Sequence, residues 1–452
     1  MKYNHLLFSF LLSVFVIDLS YGQFNMSSFY NNHNDINATK LFQSELDLGV
    51  NHWQVGMSYD LWLGNNSVTF GAINDVGNIA NNTDALSNQQ IYDIINKFGK
   101  NNVLGFGTDL DLINVAYQYY TKETKKRIDF TFSIDDNAAF CLVMSQNLAK
   151  LLWGGNAQFR GQNVELDPFT INLNYMRSFN FGGSFPIYGQ NEHNEIRGGV
   201  RLRYILGYGN ISMTDKNFYL YTDPRGESVS TTFDYDLKES SIDNNFSPFK
   251  PSGRGLGTDL SVTYFLNPNF EFAASVNDIG YIHYTKDAED YSKVGVEAYN
   301  GDIISNFFGG VQENANQLTQ AFNPTKTVGG SYNVSLGTKL NLMAEYKQIK
   351  QDSVHGTYEL NSVFLTYIQG FQNVADATTN PFISAGYKHS FRHFNLGLSM
   401  SYGGYNNFVF GPFVGFKGKH SCLMIASDNF GGLIFPHIAT GVDLSICYTV
   451  SF

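Results

Sequence analysis

Charge is scarce in this chain: Asp, Glu, Lys and Arg make up 15% of its 452 residues, against the roughly 25% of ordinary soluble domains. An exterior facing water needs more charge than that, so part of the exterior is expected to face something else. Cysteine is equally sparse, and Cys141, Cys422 and Cys447 are too few and too scattered for a disulfide framework or a zinc site. Cys422 and Cys447 fall on the last two strands of the scheme below, where one bridge is conceivable and small buried residues are the plainer reading. Basic tracts are missing beyond 121–127, and the net charge is −11. That combination excludes nucleic acid as a partner, because phosphate binding needs a basic footprint. After the N-terminus no run of about 18 apolar residues occurs, so no transmembrane helix is expected. Catalytic signatures are also absent: there is no G-x-S-x-G, H-E-x-x-H, P-loop or C-x-x-C. The histidines are dispersed, with His52, His283, His389, His393 and His420 on or beside proposed strands. The expectation is therefore no enzyme, no catalytic residue, no metal ligand set and no cofactor.

What is present is apolar and aromatic material, 43% apolar overall with 39 Phe and 28 Tyr. That is enough to build a large ordered structure. Residues 1–22 have the three parts of an export signal. Lys2 is the positive end, 6–17 is an apolar core too short to span as a helix, and Ser20-Tyr21-Gly22 ends the segment with small residues. Gln23 would be the new N-terminus, without the cysteine a lipid anchor needs. Residues 23–452 are then one domain whose membrane segments must be strands.

Period-two alternation supports those strands. Val442, Leu444, Ile446, Tyr448, Val450 and Phe452 alternate with Asp443, Ser445, Cys447, Thr449 and Ser451. The run suits a tilted membrane strand of about 9–11 residues, and its terminal aromatic resembles the signal read by barrel-insertion machinery. Leu256, Leu260, Val262, Tyr264 and Leu266 repeat the theme, as do Phe394, Leu396, Leu398, Met400 and Tyr402. The opposing faces carry Gly, Ser, Thr and Asn, which suits a crowded or wet lumen better than a soluble surface. Tight turns near Gly418, Arg392, Gly337 and Asn267-Pro268-Asn269 alternate with outer connections at 403–406, 428–437, 350–381 and 284–327. The connection 182–195 is long for a turn, and 358–367 is read as loop or outer hairpin to preserve parity. The fold class is an all-β, transmembrane antiparallel barrel of about 14 strands in outer-membrane lipid of a Gram-negative bacterium. Short helices are expected in the outer segments. Ser87-x-x-Gln90 is a capping box for one ending at Gly99, and Ser145 caps another ending at Gly154-Gly155. They would cap the mouth or simply pack as loop helices. Asp109 and Asp111 share a strand face and are placed to shape a lumen field.

Three stretches resemble a known family. Residues 151–161 (LLWGGNAQFRG) hold Gly155 and Asn156 of a "GN-x-x-F-x-G" segment. Residues 276–284 (VNDIGYIHY) are similar to a "DLGFIxW" strand end through Asp278 and Gly280, with Tyr284 where Trp is usual. Phe410-Gly-Pro-Phe413 followed by Asp428-Asn429 resembles a penultimate hairpin and its "DN" loop. With the terminal Phe452, the resemblance covers most of 45–452. The family is an uncharacterised group of Bacteroidetes outer-membrane barrels, related in pattern to long-chain fatty-acid transporters and type IX secretion barrels. It implies location and fold without an activity, and the Asn-Pro-Ala hatch signature of the fatty-acid transporters is missing from 23–60. Asp278 and Gly280 read as a bulge or strand exit, and Asp428-Asn429 as a loop start.

Three functions compete. The first is a passive conduit or lateral-exit transporter for a small, hydrophobic molecule, with an opening lined by Phe, Leu and Tyr that admits a detergent-sized ligand. The second is a non-transporting scaffold binding an envelope protein of secretion or motility, suggested by the acidic, Tyr-rich segments 215–250 and 284–300. An outer-membrane hydrolase, the third, needs a Ser, a His and a carboxylate to converge.

Overall fold

The computed structural model describes residues 52–452 except 70–92, 94–95, 125, 191–192, 243–246, 301–324, 328–329, 353–355, 375–376, 392, 419 and 436. The export signal and nearly all of the first expected helix lie outside the described residues. The strands, in chain order, are β1 (His52–Asn65), β2 (Asn101–Tyr120), β3 (Arg127–Ser145), β4 (Asn163–Glu165), β5 (Phe169–Gln190), β6 (His193–Thr222) and β7 (Ser228–Ser240). They continue as β8 (Gly253–Asn267), β9 (Phe270–Tyr284), β10 (Ala288–Asn300), β11 (Thr325–Thr327), β12 (Tyr332–Ser335) and β13 (Lys339–Asp352). The last six are β14 (Gly356–Gly370), β15 (Phe382–Ser390), β16 (Phe394–Gly403), β17 (Asn406–Lys417), β18 (Ser421–Ala426) and β19 (Gly441–Ser451). Two short helices are described, α1 (Gln146–Gly154) and α2 (Gly431–Ile434).

The chain forms a 14-strand closed antiparallel barrel. Its wall runs β1-β2-β3-β5-β6-β8-β9-β13-β14-β15-β16-β17-β18-β19 and returns to β1. Closure is made by an unbroken register from Gln54↔Ser451 to Gly64↔Gly441. Phe452 extends it, since Trp53 N–H donates to the Phe452 carbonyl at 2.9 Å and Phe452 N–H to the Trp53 carbonyl at 3.0 Å. Connections alternate in length. At one end they are short: 121–126, 268–269, 391–393 and 418–420, with two residues between β5 and β6 and three between β13 and β14. The other end carries 66–100, 146–168, 223–252, 285–338, 371–381 and 427–440, with only 404–405 tight.

Two expectations about the wall were wrong in ways that cancel. Gly337 does not turn a hairpin, because β12 and β13 both pair with β9, from Tyr332↔Tyr284 and from Lys339↔Asn277. With φ 82°, Gly337 interrupts one line of wall instead of starting a second. The segment 358–367 is no loop: it lies in β14, paired with β13 on one side and β15 on the other. The strand subtracted at Gly337 returns as β14, and the count survives. The long connection at 182–195 also shrinks, since β5 and β6 extend to Gln190 and His193.

Side chains alternate as the pattern requires. Phe130, Phe181, Leu202, Leu260, Val363, Leu398 and Met400 point outward and are exposed. Aromatic side chains gather toward the short-turn end of that face, where Trp53 meets Tyr117 at 4.5 Å and Phe270 meets Tyr346 at 4.9 Å between ring centroids. The upper ends of β5 and β6 rise past the rest of the wall and carry β4, β7 and β10 as an annex. Near that end Arg177 makes a paired contact with Asp136 on the outward face, at 2.6 and 2.7 Å. Above it, the outward side chains Phe140, Leu142 and Met144 are covered by Leu148 of α1, Phe159 and Leu166. The second expected helix is therefore present. The Ser145 hydroxyl accepts from Leu148 N–H at 3.0 Å, and Gly155, at φ 72°, closes the other end through Leu151. It packs against the outside of the wall and does not enter the mouth.

Candidate functional site: a capped chamber over an ion-paired floor

The inner face changes character with height. Near the short turns it is charged. Arg197 reaches Asp129 at 3.0 Å and Glu195 at 2.9 Å, and Lys347 reaches Glu271 at 2.7 Å and Glu345 at 3.2 Å. Lys388 pairs with Glu359 at 2.8 Å with its own side chain wholly buried. One tier higher, Arg201 pairs with Asp259, Arg203 with Asp278, and Lys339 with Asp278 at 3.3 Å. These charges are withdrawn from bulk water and compensate one another, which is the condition for keeping them buried. They make a floor.

Above the floor two apolar, aromatic clusters stand among polar inward side chains such as Asn172, Asn406 and Asp443. Trp62, Val103, Cys141 and Tyr405 pack together on one side. Met176, Ile205, Ile282, Tyr284 and Tyr332 pack on another. Tyr284 donates to Asn174 Oδ1 at 2.7 Å and Tyr332 to Asn210 Oδ1 at 3.1 Å, which leaves the rings as the apolar surface. The mouth is covered by the connection 371–381, whose backbone folds inward. Asn172 Nδ2 on β5 donates to the Asn373 carbonyl at 3.0 Å, and the Tyr405 hydroxyl lies 3.3 and 3.2 Å from the carbonyls of Val374 and Ala377. Beneath this cover is a cavity of about 60 Å³, bounded by Ile368, Phe382, Tyr405, Val409, Lys339 and Asp428 among others. The opening expected from the sequence was detergent-sized, and this cavity among the described residues is smaller.

One of the three motif stretches borders this cavity, and a second contacts it through Lys339. Asp428 and Asn429 turn inward and are buried. The Asp443 carboxylate accepts from the N–H groups of Asp428 and Asn429, and Ser399 Oγ donates to Asp428 Oδ1 at 2.7 Å. Asp278 takes φ 58° at the β9 irregularity beside Gly280, where the β8 register slips. Its N–H donates to Asp259 Oδ1 at 2.7 Å, and its carboxylate holds Lys339 at the cavity wall. Gly155 and Asn156 sit apart, at the end of α1 on the outer annex. Asp111 faces the lumen and accepts from Ser58 Oγ at 2.6 Å. The ring nitrogens of His283 and His389 meet the amide oxygens of Asn333 and Asn361, so the hydrolase reading gains no support at either. Cys422 and Cys447 are not joined by a disulfide. Trp62, Tyr405 and Asp443 were not singled out in the sequence. Asp443 alone left a trace there, as a carboxylate on a strand face otherwise made of Ser, Cys and Thr.

Residues 48–428 match the family described as "Family of unknown function (DUF5723)". No curated protein matches. Among solved structures, the Pseudomonas putida toluene transporter TodX is 9% identical with a TM-score of 0.37, over 96% of this chain and 94% of that one. The CymD monoaromatic hydrocarbon channel is 10% identical with a TM-score of 0.41, over 92% and 94%. A Pseudomonas aeruginosa FadL homologue is 9% identical with a TM-score of 0.36, over 92% of each chain. Likeness at that level says nothing about cargo.

Proposed function

We propose that this chain, which belongs to the DUF5723 family, is an exported outer-membrane barrel serving as a passive conduit for a small hydrophobic molecule. The exposed apolar side chains of the wall face hydrocarbon, and the strands return on themselves in a closed order. Export through residues 1–22 and assembly by barrel-insertion machinery belong to the same reading. The observation that carries it is a pair of apolar, aromatic clusters on the inner face, above the ion-paired floor and beneath a cover that Asn172 and Tyr405 help to hold. An aqueous pore would keep its charges wet, and here they are buried. Loading requires the 371–381 connection to lift, since the resting cavity holds about 60 Å³.

The test uses N-phenyl-1-naphthylamine, an apolar dye that an intact lipopolysaccharide leaflet excludes and that fluoresces in lipid. Cells displaying the protein should take up the dye faster than cells without it. Tyr405→Phe and Asn172→Ala, which remove anchors of the cover, should raise the rate further. Uptake equal to that of cells lacking the protein, for the native chain and both variants, would refute the conduit. A second reading, a scaffold for an envelope protein, draws on the annex. There β6 and β7 present Lys216, Asp234 and Asp236 to solvent beyond the closed wall. Recovery of one stoichiometric partner from solubilised membranes, together with no dye uptake, would favour it.

A further inference from the structure

The inward acids of the wall fall into two groups. Asp129, Asp259, Asp278, Glu271 and Glu345 each pair with a guanidinium or an ammonium. Asp111 on β2 and Asp135 on β3 do not: among the described residues no Lys or Arg pairs with either. They stand opposite each other in register, with their carboxyl groups in hydrogen-bond reach, and Asp109 on the same face adds its charge to theirs. Arg203 is held one residue away. Its Nε donates to Asn180 Oδ1 at 3.2 Å, and Asn180 Nδ2 donates to Asp135. Two carboxylates this close repel each other unless a proton or a cation lies between them.

The backbone turns a further oxygen toward the pair. Strict alternation would put Asp111 and Asn114 on opposite faces of β2. The register slips between Asp111 and Ile113, and this bulge brings both side chains inward. Asn114 then lies opposite Ser133, two positions from Asp135. It is 2% exposed, and its Oδ1 has no hydrogen-bond partner; one oxygen of Asp135 is buried in the same condition. From the neighbouring strand Ser58 Oγ reaches Asp111 Oδ2 at 2.6 Å. Unmet buried acceptors and uncompensated buried charge are each costly. One cation bound by oxygen removes both.

We propose that this patch of inner wall is a calcium site, held by the carboxylates of Asp111 and Asp135 and completed by Asn114 Oδ1 and the Ser58 hydroxyl. A set made of carboxylate, amide and hydroxyl oxygens suits a hard cation. Calcium accepts such a mixed, irregular shell, whereas magnesium demands a near-ideal octahedron. Among the described residues no three His, Cys, Asp or Glu side chains gather as a ligand set. Binding therefore rests on two charges and should be weak, with a dissociation constant of about 0.1–1 mM, the range of extracellular calcium modules. The ligands come from three strands, which is why no local spacing in the sequence announces them.

The test takes the barrel folded in phosphatidylcholine vesicles and stripped of divalent ions with a chelator. Calcium chloride should raise the urea midpoint of the native protein, half of the rise coming at about 0.1–1 mM. Asp111→Asn and Asp135→Asn should each weaken that response by about tenfold or more. In chelator the same two variants should unfold at a higher urea concentration than native, because the repulsion is gone; loss of a merely structural carboxylate would lower it. Asn114→Asp, which supplies one more charge, should tighten the response. A native midpoint indifferent to calcium would overturn the site, and the two carboxyls would then share a proton. An undiminished response in both Asp variants would overturn it too, placing the ion elsewhere on the chain. None of these readings involves transport, so the conduit stands or falls separately.

Discussion

Replacing Lys347 with methionine should cost this barrel much of its stability while leaving its shape nearly intact. The ammonium lies 2.7 Å from Glu271 and 3.2 Å from Glu345, whose side chains are 2% and 0% exposed. Methionine preserves most of the stem's packing and removes only the charge, so two buried carboxylates are left facing each other without their cation. Removing one partner of a buried ion pair costs about 3–5 kcal/mol. Adding Glu271→Gln and Glu345→Gln should bring the triple variant back to within about 1 kcal/mol of native, because a neutral floor of similar volume carries no such penalty. The measurement is urea unfolding in lipid vesicles, with the folded fraction read from the gel mobility of unheated samples. A Lys347→Met barrel unfolding within about 1 kcal/mol of native would show that these carboxylates are solvated. The floor would then be no floor.

Asp167, in the annex outside the wall, is pushed up to about 7 by burial, helped by its hydrogen bond to Asp215 and by the charges of Asp215 and Glu165. An acid raised in the folded state favours folding below its ordinary value of 3.8, and that contribution is lost as pH rises through about 7. Amide exchange across 163–168 should therefore quicken over that range, and Asp167→Asn should abolish the dependence; a variant that keeps it would refute the assignment. Ser145→Ala removes the cap of α1 and should cost about 1 kcal/mol, seen as faster exchange at Leu148. Exchange unchanged there would mean the hydroxyl does not hold the helix. Leu398→Lys, midway along β16 on the outward face, should cost about 2–4 kcal/mol in lipid, whereas Leu398→Phe should be tolerated. Equal stability of the two would place that face in water.

The wall was legible because period two reports directly which side chains share a face. Where it misled, a local signal had two structural meanings. A glycine at positive φ serves a tight turn and an interruption within a strand equally well, and Gly337 is the second. The apolar run around 363–365 is apolar enough for a strand, and only parity kept it out of the wall while Gly337 counted as a turn. It lies in β14, where Phe364 packs inward against Phe413 and Ala426. The chamber was not legible at all. Asn172 and Asn373 meet across the mouth at a separation of 201 residues, and nothing in either neighbourhood announces the other. Trp62 reads as part of an outer segment over 60–102, whereas β1 runs on to Asn65 and sets the ring over Gly107.

The strand that opens the described chain finds its long partner only at Gly441–Ser451, the final strand. Until translation and export deliver that segment, every shorter form carries two bare ladders, one on β1 and one on β18, each a template for misassociation. A ring of this kind has no useful halfway state. Truncation from the C-terminus should therefore remove the protein from the membrane altogether, where loss of an outer connection would merely trim it.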